Sequence, residues 1–153
     1  MARVLPHALH RIKVPQRTVI GVAPPNIAKE QGVALNGTSR VILVVEDEWL
    51  VRDVIVQALR DVGWQVIEAS KAEDAIALLG TGCRIDVLFT DIQLAGQLCG
   101  WDVAERFRAG RDDAPVVYAS GNSADRSRRV ANSLFFNKPY LPAEVVDACH
   151  RLS

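Results

Sequence analysis

The chain has 153 residues, of which 49% are hydrophobic and 24% are charged, as in an ordinary globular domain. Eighteen Lys and Arg balance eighteen Asp and Glu, which excludes a uniformly basic nucleic-acid-binding protein. No apolar run approaches the roughly 18 residues of a membrane-spanning helix. The three cysteines, with no close spacing, argue against a disulfide framework or a zinc site. We therefore predict a cytoplasmic protein with reduced cysteines and no membrane span.

The charge is distributed unevenly along the chain. Residues 1–39 carry five basic residues and one acidic residue, so their net charge is +4 and that of the remaining 114 residues is −4. Residues 1–39 also hold four of the seven prolines and show no sustained periodicity. We predict a basic, disordered extension here, with one candidate strand at 18–22, and a folded domain at 40–153. The extension is either a solvated tail, a tether to an acidic partner, nucleic acid or membrane surface, or the product of a start codon assigned too early.

Strand and helix patterns alternate from Arg40 onward. A continuous apolar run predicts a buried strand at Val41–Val45, and apolar residues at helical spacing predict a helix from Val51 to Val62 that ends at Gly63. Further strands are predicted at residues 64–68, 87–89, 116–119 and 134–136. Further helices are predicted from a Ser70–Glu73 capping box to Gly80, at 101–109, at 123–130, and from Pro142 onward.

Five strands alternating with five helices predict an α/β fold with a doubly wound five-stranded parallel sheet. In such sheets, functional groups gather beyond the carboxyl ends of the strands. Polar residues follow the predicted strands at these positions: Glu46, Asp47, Asp91, Ser120 and Lys138. Clustered carboxylates repel one another unless a cation balances them, and Mg²⁺ prefers such oxygen ligands. With a lysine and a hydroxyl nearby, these residues predict phosphoryl transfer to a carboxylate nucleophile.

Four segments in order, Val-Val-Glu46-Asp47-Glu, Leu-Phe-Thr-Asp91, Val-Val-Tyr-Ala-Ser120-Gly and Phe135-Phe-Asn-Lys138-Pro, resemble the receiver domain of two-component response regulators. The resemblance covers residues 40–153 and implies a CheY-like sheet with strand order 2-1-3-4-5. Taken singly, each segment also has a structural explanation as a turn, a helix start or a core residue. The joint pattern favours the receiver domain.

The resemblance implies a role for each matching residue. Asp91 would be the phosphoacceptor, receiving phosphate from a sensor histidine kinase or a histidine phosphotransfer protein, and Lys138 the family's lysine. Glu46, Asp47, Asp91 and the backbone carbonyl of Gln93 would bind Mg²⁺. Ser120 would be the switch hydroxyl, and the Lys138–Pro139 peptide bond would be cis. Phe135 would be the aromatic switch residue, although a core role for this ring is an open alternative.

The sequence departs from the receiver pattern in two segments. Ala95 stands where receivers usually have proline, and Gly100 lies nine residues after Asp91, one more than usual. Only seventeen residues separate Ser120 from Lys138, so we expect a short fourth helix.

We interpret the chain as a single-domain response regulator, a phosphoacceptor that assists its own phosphorylation and dephosphorylation and is not a conventional enzyme. The chain ends just after the last predicted helix, so we expect no DNA-binding domain. Output would pass by protein contact or phosphorelay to a downstream protein, with a homodimer left open. The alternatives are a receiver-like interaction module that works without phosphate, and a haloacid-dehalogenase-type phosphatase, which would need an acid at the position of Gln93.

Overall fold

The computed structural model describes residues 39–121 and 126–153, and their centre is a parallel five-stranded sheet. The strand order is β2-β1-β3-β4-β5, which confirms the predicted fold and order. The strands are β1 Val41–Val45, β2 Gln65–Ala69, β3 Val87–Asp91, β4 Val116–Ser120 and β5 Ser133–Asn137. β1, β3 and β4 are buried along their whole length, which for β1 confirms the buried strand predicted from its apolar run.

Helices cover both faces of the sheet: α1 Trp49–Asp61, α2 Ala72–Gly80, α3 Gly100–Arg108 and α4 Pro142–Leu152. Residues of α2 and α3 pack on one face around Leu43, Leu88 and Tyr118. Residues of α1 and α4 pack on the other face around Val44 and Phe89. Alternate residues of the same buried strands therefore serve two separate cores.

The predicted fourth helix at 123–130 is not seen in the described part of the β4–β5 connection. There the chain forms a single 3₁₀ turn, Arg126–Arg128, so the described residues contain four α-helices instead of the predicted five. The turn is held by side chains: Arg128 binds Asp102 at 2.7 Å and Glu105 at 2.9 Å, both on α3. Only residues 121–132 connect β4 to β5, which leaves little length for a helix packed on the sheet.

The prediction of a Ser70–Glu73 capping box is also wrong. α2 begins after Lys71, whose side chain makes no capping hydrogen bond. Glu73 instead accepts a hydrogen bond at 3.4 Å from the backbone N–H of Gln97, in the β3–α3 loop. A tertiary partner has replaced the local one that the sequence pattern favours.

Helix α1 buries a narrower face than its apolar spacing predicts. Ile55, Val56 and Leu59 are buried in the core. Val54 and Val62, assigned to the same face by their spacing, are 53% and 49% exposed. The helix thus carries apolar surface that the sheet does not cover.

The predicted extension at 1–39, including the candidate strand at 18–22, lies outside the described residues except for Ser39. Among the residues that are described, no helix has the length and apolar character needed to cross a membrane. Cys83, Cys99 and Cys149 are free thiols.

Candidate functional site

Strand register brings two acidic residues together at the carboxyl edge of the sheet. Val45 of β1 pairs with Thr90 of β3, so the residues that follow them, Glu46 and Asp91, are neighbours. Asp47 completes the cluster: one carboxylate oxygen from each of the three side chains lies within 4.8 Å of the others. The parallel sheet therefore brings Asp91 to the consecutive acids Glu46 and Asp47, from which it is distant in the chain.

Lys138 connects this cluster to the end of β5. Its Nζ donates hydrogen bonds to Asp91 Oδ2 at 2.5 Å and to Glu46 Oε2 at 2.8 Å. The backbone N–H of Lys138 also donates to the carbonyl of Ser120 at 2.8 Å, which fixes the lysine beside the end of β4. The peptide bond that follows, Lys138–Pro139, is cis, as the resemblance implied.

Burial makes the electrostatics of this cluster strong. Glu46 has no exposed surface and Asp91 is only 5% exposed. Burial raises the pKa of Glu46, because a charged carboxylate is poorly solvated there, and this outweighs the hydrogen bond from Lys138. Burial alone would lower the pKa of Lys138, but the hydrogen bonds to Asp91 and Glu46 raise it above its ordinary value. The lysine is thus held as a cation between two acids.

The β3–α3 loop, residues 92–99, lies against the acidic cluster. Asp91 Oδ1 accepts a hydrogen bond from the N–H of Gln93 at 3.0 Å, and Asp47 Oδ2 accepts one from the N–H of Ala95 at 3.2 Å. Proline at position 95 would have no N–H to donate, so the departure from the receiver pattern creates this contact. Gln93 is exposed, and the role of its carbonyl as a metal ligand stays a prediction.

Ser120 and Phe135 lie at different depths. Ser120, the last residue of β4, is fully buried. Phe135 in the middle of β5 is half-buried and packs against the core that contains Tyr118. The guanidinium of Arg126 lies over its ring, 4.0 Å from the centroid, in a cation–π contact. Phe135 therefore lies at the edge of the core with part of its ring exposed. This position is compatible both with a core role and with a switch role.

The donor set suits a hard divalent cation. The three clustered side chains offer carboxylate oxygens, the ligands that Mg²⁺ prefers, and Asp47 is only half-buried, which leaves room for water ligands. With all three acids ionised, Lys138 balances one of three negative charges, and a divalent ion would balance the other two. Glu46, Asp47 and Asp91 therefore fit Mg²⁺ by charge and by ligand chemistry.

The sequence prediction missed the contacts of two residues at this edge. Arg52 of α1 donates to the backbone carbonyl of Glu46 at 2.6 Å, bracing the turn that holds the acidic pair. Glu73 reaches the β3–α3 loop from α2. An arginine near a helix N-terminus looks like an ordinary surface residue in a sequence, so no local signal marked Arg52, and the capping-box pattern assigned Glu73 a different partner.

A family model for the response regulator receiver domain matches residues 42–149, more than half of the chain. The chain belongs to this family. Receiver domains of two-component response regulators are phosphoacceptor signalling modules that generally bind Mg²⁺ at an acidic pocket. The receiver's acidic cluster of Glu46, Asp47 and Asp91 is consistent with this property of the family.

Solved and curated proteins agree with this membership. A response regulator receiver protein from Sinorhizobium medicae is 32% identical, with a TM-score of 0.72, covering 74% of this chain and 94% of that chain. The transcriptional regulatory protein CssR of Bacillus subtilis is 28% identical over 118 residues, 74% of this chain and 51% of CssR. The autoinducer 1 sensor kinase/phosphatase LuxN of Vibrio harveyi is 26% identical over 102 residues, 67% of this chain and 12% of LuxN. The receiver thus spans about half the length of CssR and a smaller share of LuxN.

Proposed function

We propose that this receiver accepts a phosphoryl group on Asp91 from a histidine kinase or a histidine phosphotransfer protein, in a Mg²⁺-dependent reaction. The observation that carries the proposal is the position of Asp91, which lies in one acidic cluster with Glu46 and Asp47 while Lys138 binds its carboxylate. The signal then passes to a downstream protein by contact or by onward transfer of the phosphoryl group. That the receiver acts as a single-domain protein stays a prediction.

The proposed phosphoryl transfer involves no change of oxidation state. A carboxylate oxygen of Asp91 attacks the phosphorus of a donor phosphohistidine, the P–N bond breaks, and the electron pair returns to the imidazole, which takes up a proton. Asp91 becomes an acyl phosphate. Mg²⁺ bound by Glu46, Asp47, Asp91 and the Gln93 carbonyl would balance the charge of the carboxylates and the phosphoryl oxygens.

The remaining site residues respond to the new charge. Phosphorylation exchanges the single negative charge of the Asp91 carboxylate for a phosphoryl group that carries roughly −1.5 to −2 at neutral pH, so the site gains up to about one negative charge. Lys138, already bound to Asp91, is positioned to pair with a phosphoryl oxygen, and the Ser120 hydroxyl is the donor at the end of the neighbouring strand. Phe135, next to Arg126, is the proposed route by which this change reaches the surface.

An apolar face beside the site suits the protein that donates the phosphoryl group. On α1, Trp49, Leu50 and Val54 are 65%, 60% and 53% exposed. They adjoin a groove of about 590 Å³ whose lining includes Leu50, Val54, Lys138 and Tyr140. Because Lys138 both lines this groove and binds Asp91, a partner seated on the groove is next to the reacting carboxylate. We propose that the phosphodonor docks there.

The proposal is tested by incubating the protein with acetyl phosphate and Mg²⁺ and measuring its intact mass. We expect the wild type to gain one phosphoryl group, and the gain to disappear when Mg²⁺ is removed with EDTA. Asp91→Asn should show no gain, because the amide is not a nucleophile. Asp112→Asn, which removes an exposed aspartate outside the acidic cluster, is the matched control and should gain the phosphoryl group as the wild type does.

The alternative is an interaction module that works without phosphate. Two departures from the receiver pattern favour it: the β3–α3 loop lacks the usual proline, and the described part of the β4–β5 connection has a single 3₁₀ turn where the sequence predicts a helix. A wild-type protein that gains no mass and binds no beryllium fluoride with Mg²⁺, yet binds a partner without metal, would replace our proposal with this alternative.

A further inference from the structure

Backbone hydrogen bonds hold the two ends of the β3–α3 loop close together. The N–H of Gly100 donates to the carbonyl of Ile92 at 3.0 Å, and the N–H of Ile92 donates to the carbonyl of Ala119 on β4 at 3.0 Å. The loop leaves the sheet after Asp91 and returns beside it. Its base is therefore set by the sheet, and its tip needs other contacts to hold one conformation.

Two carboxylates from different elements hold the tip. Asp47, at the end of β1, accepts from the N–H of Ala95, and Glu73, on α2, accepts from the N–H of Gln97. Gly96 lies between these two amides with φ +132°. A Cβ added to Gly96 would lie 3.1 Å from Glu73 Oε1 and 3.2 Å from Oε2, so the Glu73 carboxylate sits directly against the loop. Glycine thus provides both the backbone conformation and the space for this contact.

Glu73 is held in its ionised form by backbone amides. Its own N–H at the start of α2 contributes most, and those of Gln97 and Leu98 add to it, so the pKa of Glu73 lies below its ordinary value. Because Glu73 belongs to the first turn of α2 and its carboxylate accepts from the N–H of Gln97, this side chain ties the N-terminus of α2 to the loop tip.

We propose that Glu73 is a positioning residue. It holds the β3–α3 loop, which follows Asp91, contains Gln93 and contacts Asp47. The inference rests on the proposed function, because it concerns the same acidic cluster. Glu73 acts through the loop: it fixes Gln97, and Gln97 is two residues from Ala95, whose N–H orients the Asp47 carboxylate. In this receiver, the glutamate of α2 restrains a loop that lacks the usual proline.

The test compares Glu73→Ala with Asp74→Ala, which removes the neighbouring exposed acid from the same first turn of α2. Amide hydrogen exchange by NMR requires neither metal nor phosphate. We expect exchange at Gln97 and Leu98 to become roughly five- to tenfold faster in Glu73→Ala, as for the loss of one partly exposed charge-assisted hydrogen bond. Asp74→Ala should exchange like the wild type at these two amides.

Mg²⁺ titration followed by the same NMR spectra measures the effect on the acidic cluster. We expect the Mg²⁺ Kd of Glu73→Ala to rise roughly three- to tenfold, at or below the usual effect of removing a group that orients a metal ligand. Glu73→Gln keeps an acceptor oxygen and should recover part of both effects. Urea unfolding of each variant separates this effect from a general loss of stability.

Equal exchange at Gln97 and Leu98 in Glu73→Ala and Asp74→Ala would overturn the proposal. Faster exchange with an unchanged Mg²⁺ Kd would also overturn it, because the loop contact would then have no effect on the cluster. If the wild type binds no Mg²⁺ and gains no phosphoryl group, the proposed function fails instead. The exchange comparison then still decides whether Glu73 holds the loop.

Discussion

Gly100 determines how closely α3 approaches the proposed phosphoacceptor. A Cβ at this position would lie 2.0 Å from the carbonyl oxygen of Asp91 and 2.9 Å from the Cα of Ile92. Both are backbone atoms, which cannot move aside as a flexible side chain can. The first residue of α3 therefore packs directly on the end of β3, and only glycine permits this contact.

We predict that Gly100→Ala lowers the free energy of unfolding by roughly 2 to 3 kcal/mol, because the added methyl group must push α3 or the end of β3 aside. It should also slow phosphorylation by acetyl phosphate, since Asp91 moves with its backbone. Urea unfolding and the intact-mass assay measure the two effects.

Gly80→Ala is the control for this substitution. Gly80 is the last residue of α2, and a Cβ there would meet no atom within 4 Å. Alanine should stabilise the protein by up to about 1 kcal/mol, through higher helix propensity and a less flexible unfolded chain. Equal stability of the two variants would contradict the packing argument.

At the scale of elements, the β4–β5 connection depends on α3 for its position. Arg128 binds both Asp102 and Glu105 of α3, while Asp102 Oδ2 also accepts from the N–H of Cys99 at 2.8 Å. The same connection places Arg126 over Phe135. Asp102 thus joins the start of α3 to the turn that covers the proposed aromatic switch.

The Asp102 contact predicts a pH dependence of stability. The hydrogen bond from Arg128 and then that from the Cys99 amide lower the pKa of Asp102 from 3.8 to about 2. The ionised carboxylate therefore stabilises the fold above the unfolded pKa, and this contribution is lost as the pH falls toward about 2. We expect Asp102→Asn to be less stable by roughly 1 to 2 kcal/mol near neutral pH, allowing for partial exposure.

Urea unfolding across a pH series measures this difference, which should shrink below pH 3.8. Asp112→Asn, at an exposed position, should change stability near neutral pH by less than about 0.5 kcal/mol. A difference for Asp102→Asn that stays constant down to the acid limit would show that packing, and not charge, is what Asp102 contributes.

At the scale of the whole molecule, the acidic cluster opens beside the uncovered apolar face of α1. We predict that Val54→Asp, which places a charge on this face, lowers the rate of phosphotransfer from a histidine kinase relative to the rate from acetyl phosphate. The ratio should fall about tenfold or more, because a buried unpaired carboxylate opposes docking. Purified kinases encoded in the same genome provide the donors.

Val62→Asp provides the matched control: Val62 directly follows the last residue of α1, is 49% exposed and does not line the groove. Its ratio of the two rates should equal that of the wild type. If the two variants lower the ratio equally, the phosphodonor does not dock on the groove next to Lys138.

The strands and most helices were predictable from the sequence, because their signals are local. The apolar run at Val41–Val45 and its counterparts specify buried strands, and the alternation of elements specifies a parallel sheet. Glu46, Asp91 and Lys138 could be placed at one edge for the same reason, since parallel strands all end on the same side. The sequence did not indicate the contacts of Arg52 and Glu73, which lie with residues of other elements.

Local signals in the sequence specify the sheet, the helices on both of its faces and the acidic residues at the strand ends, because periodicity and strand ends are local properties. The partner that each polar group binds depends instead on the tertiary packing. Glu73 binds the loop instead of forming a capping box with Ser70, Ala95 donates to Asp47, and Val54 faces outward from α1. A sequence pattern shows what a side chain is able to bind, but the packing of distant elements determines which of those partners lies within reach.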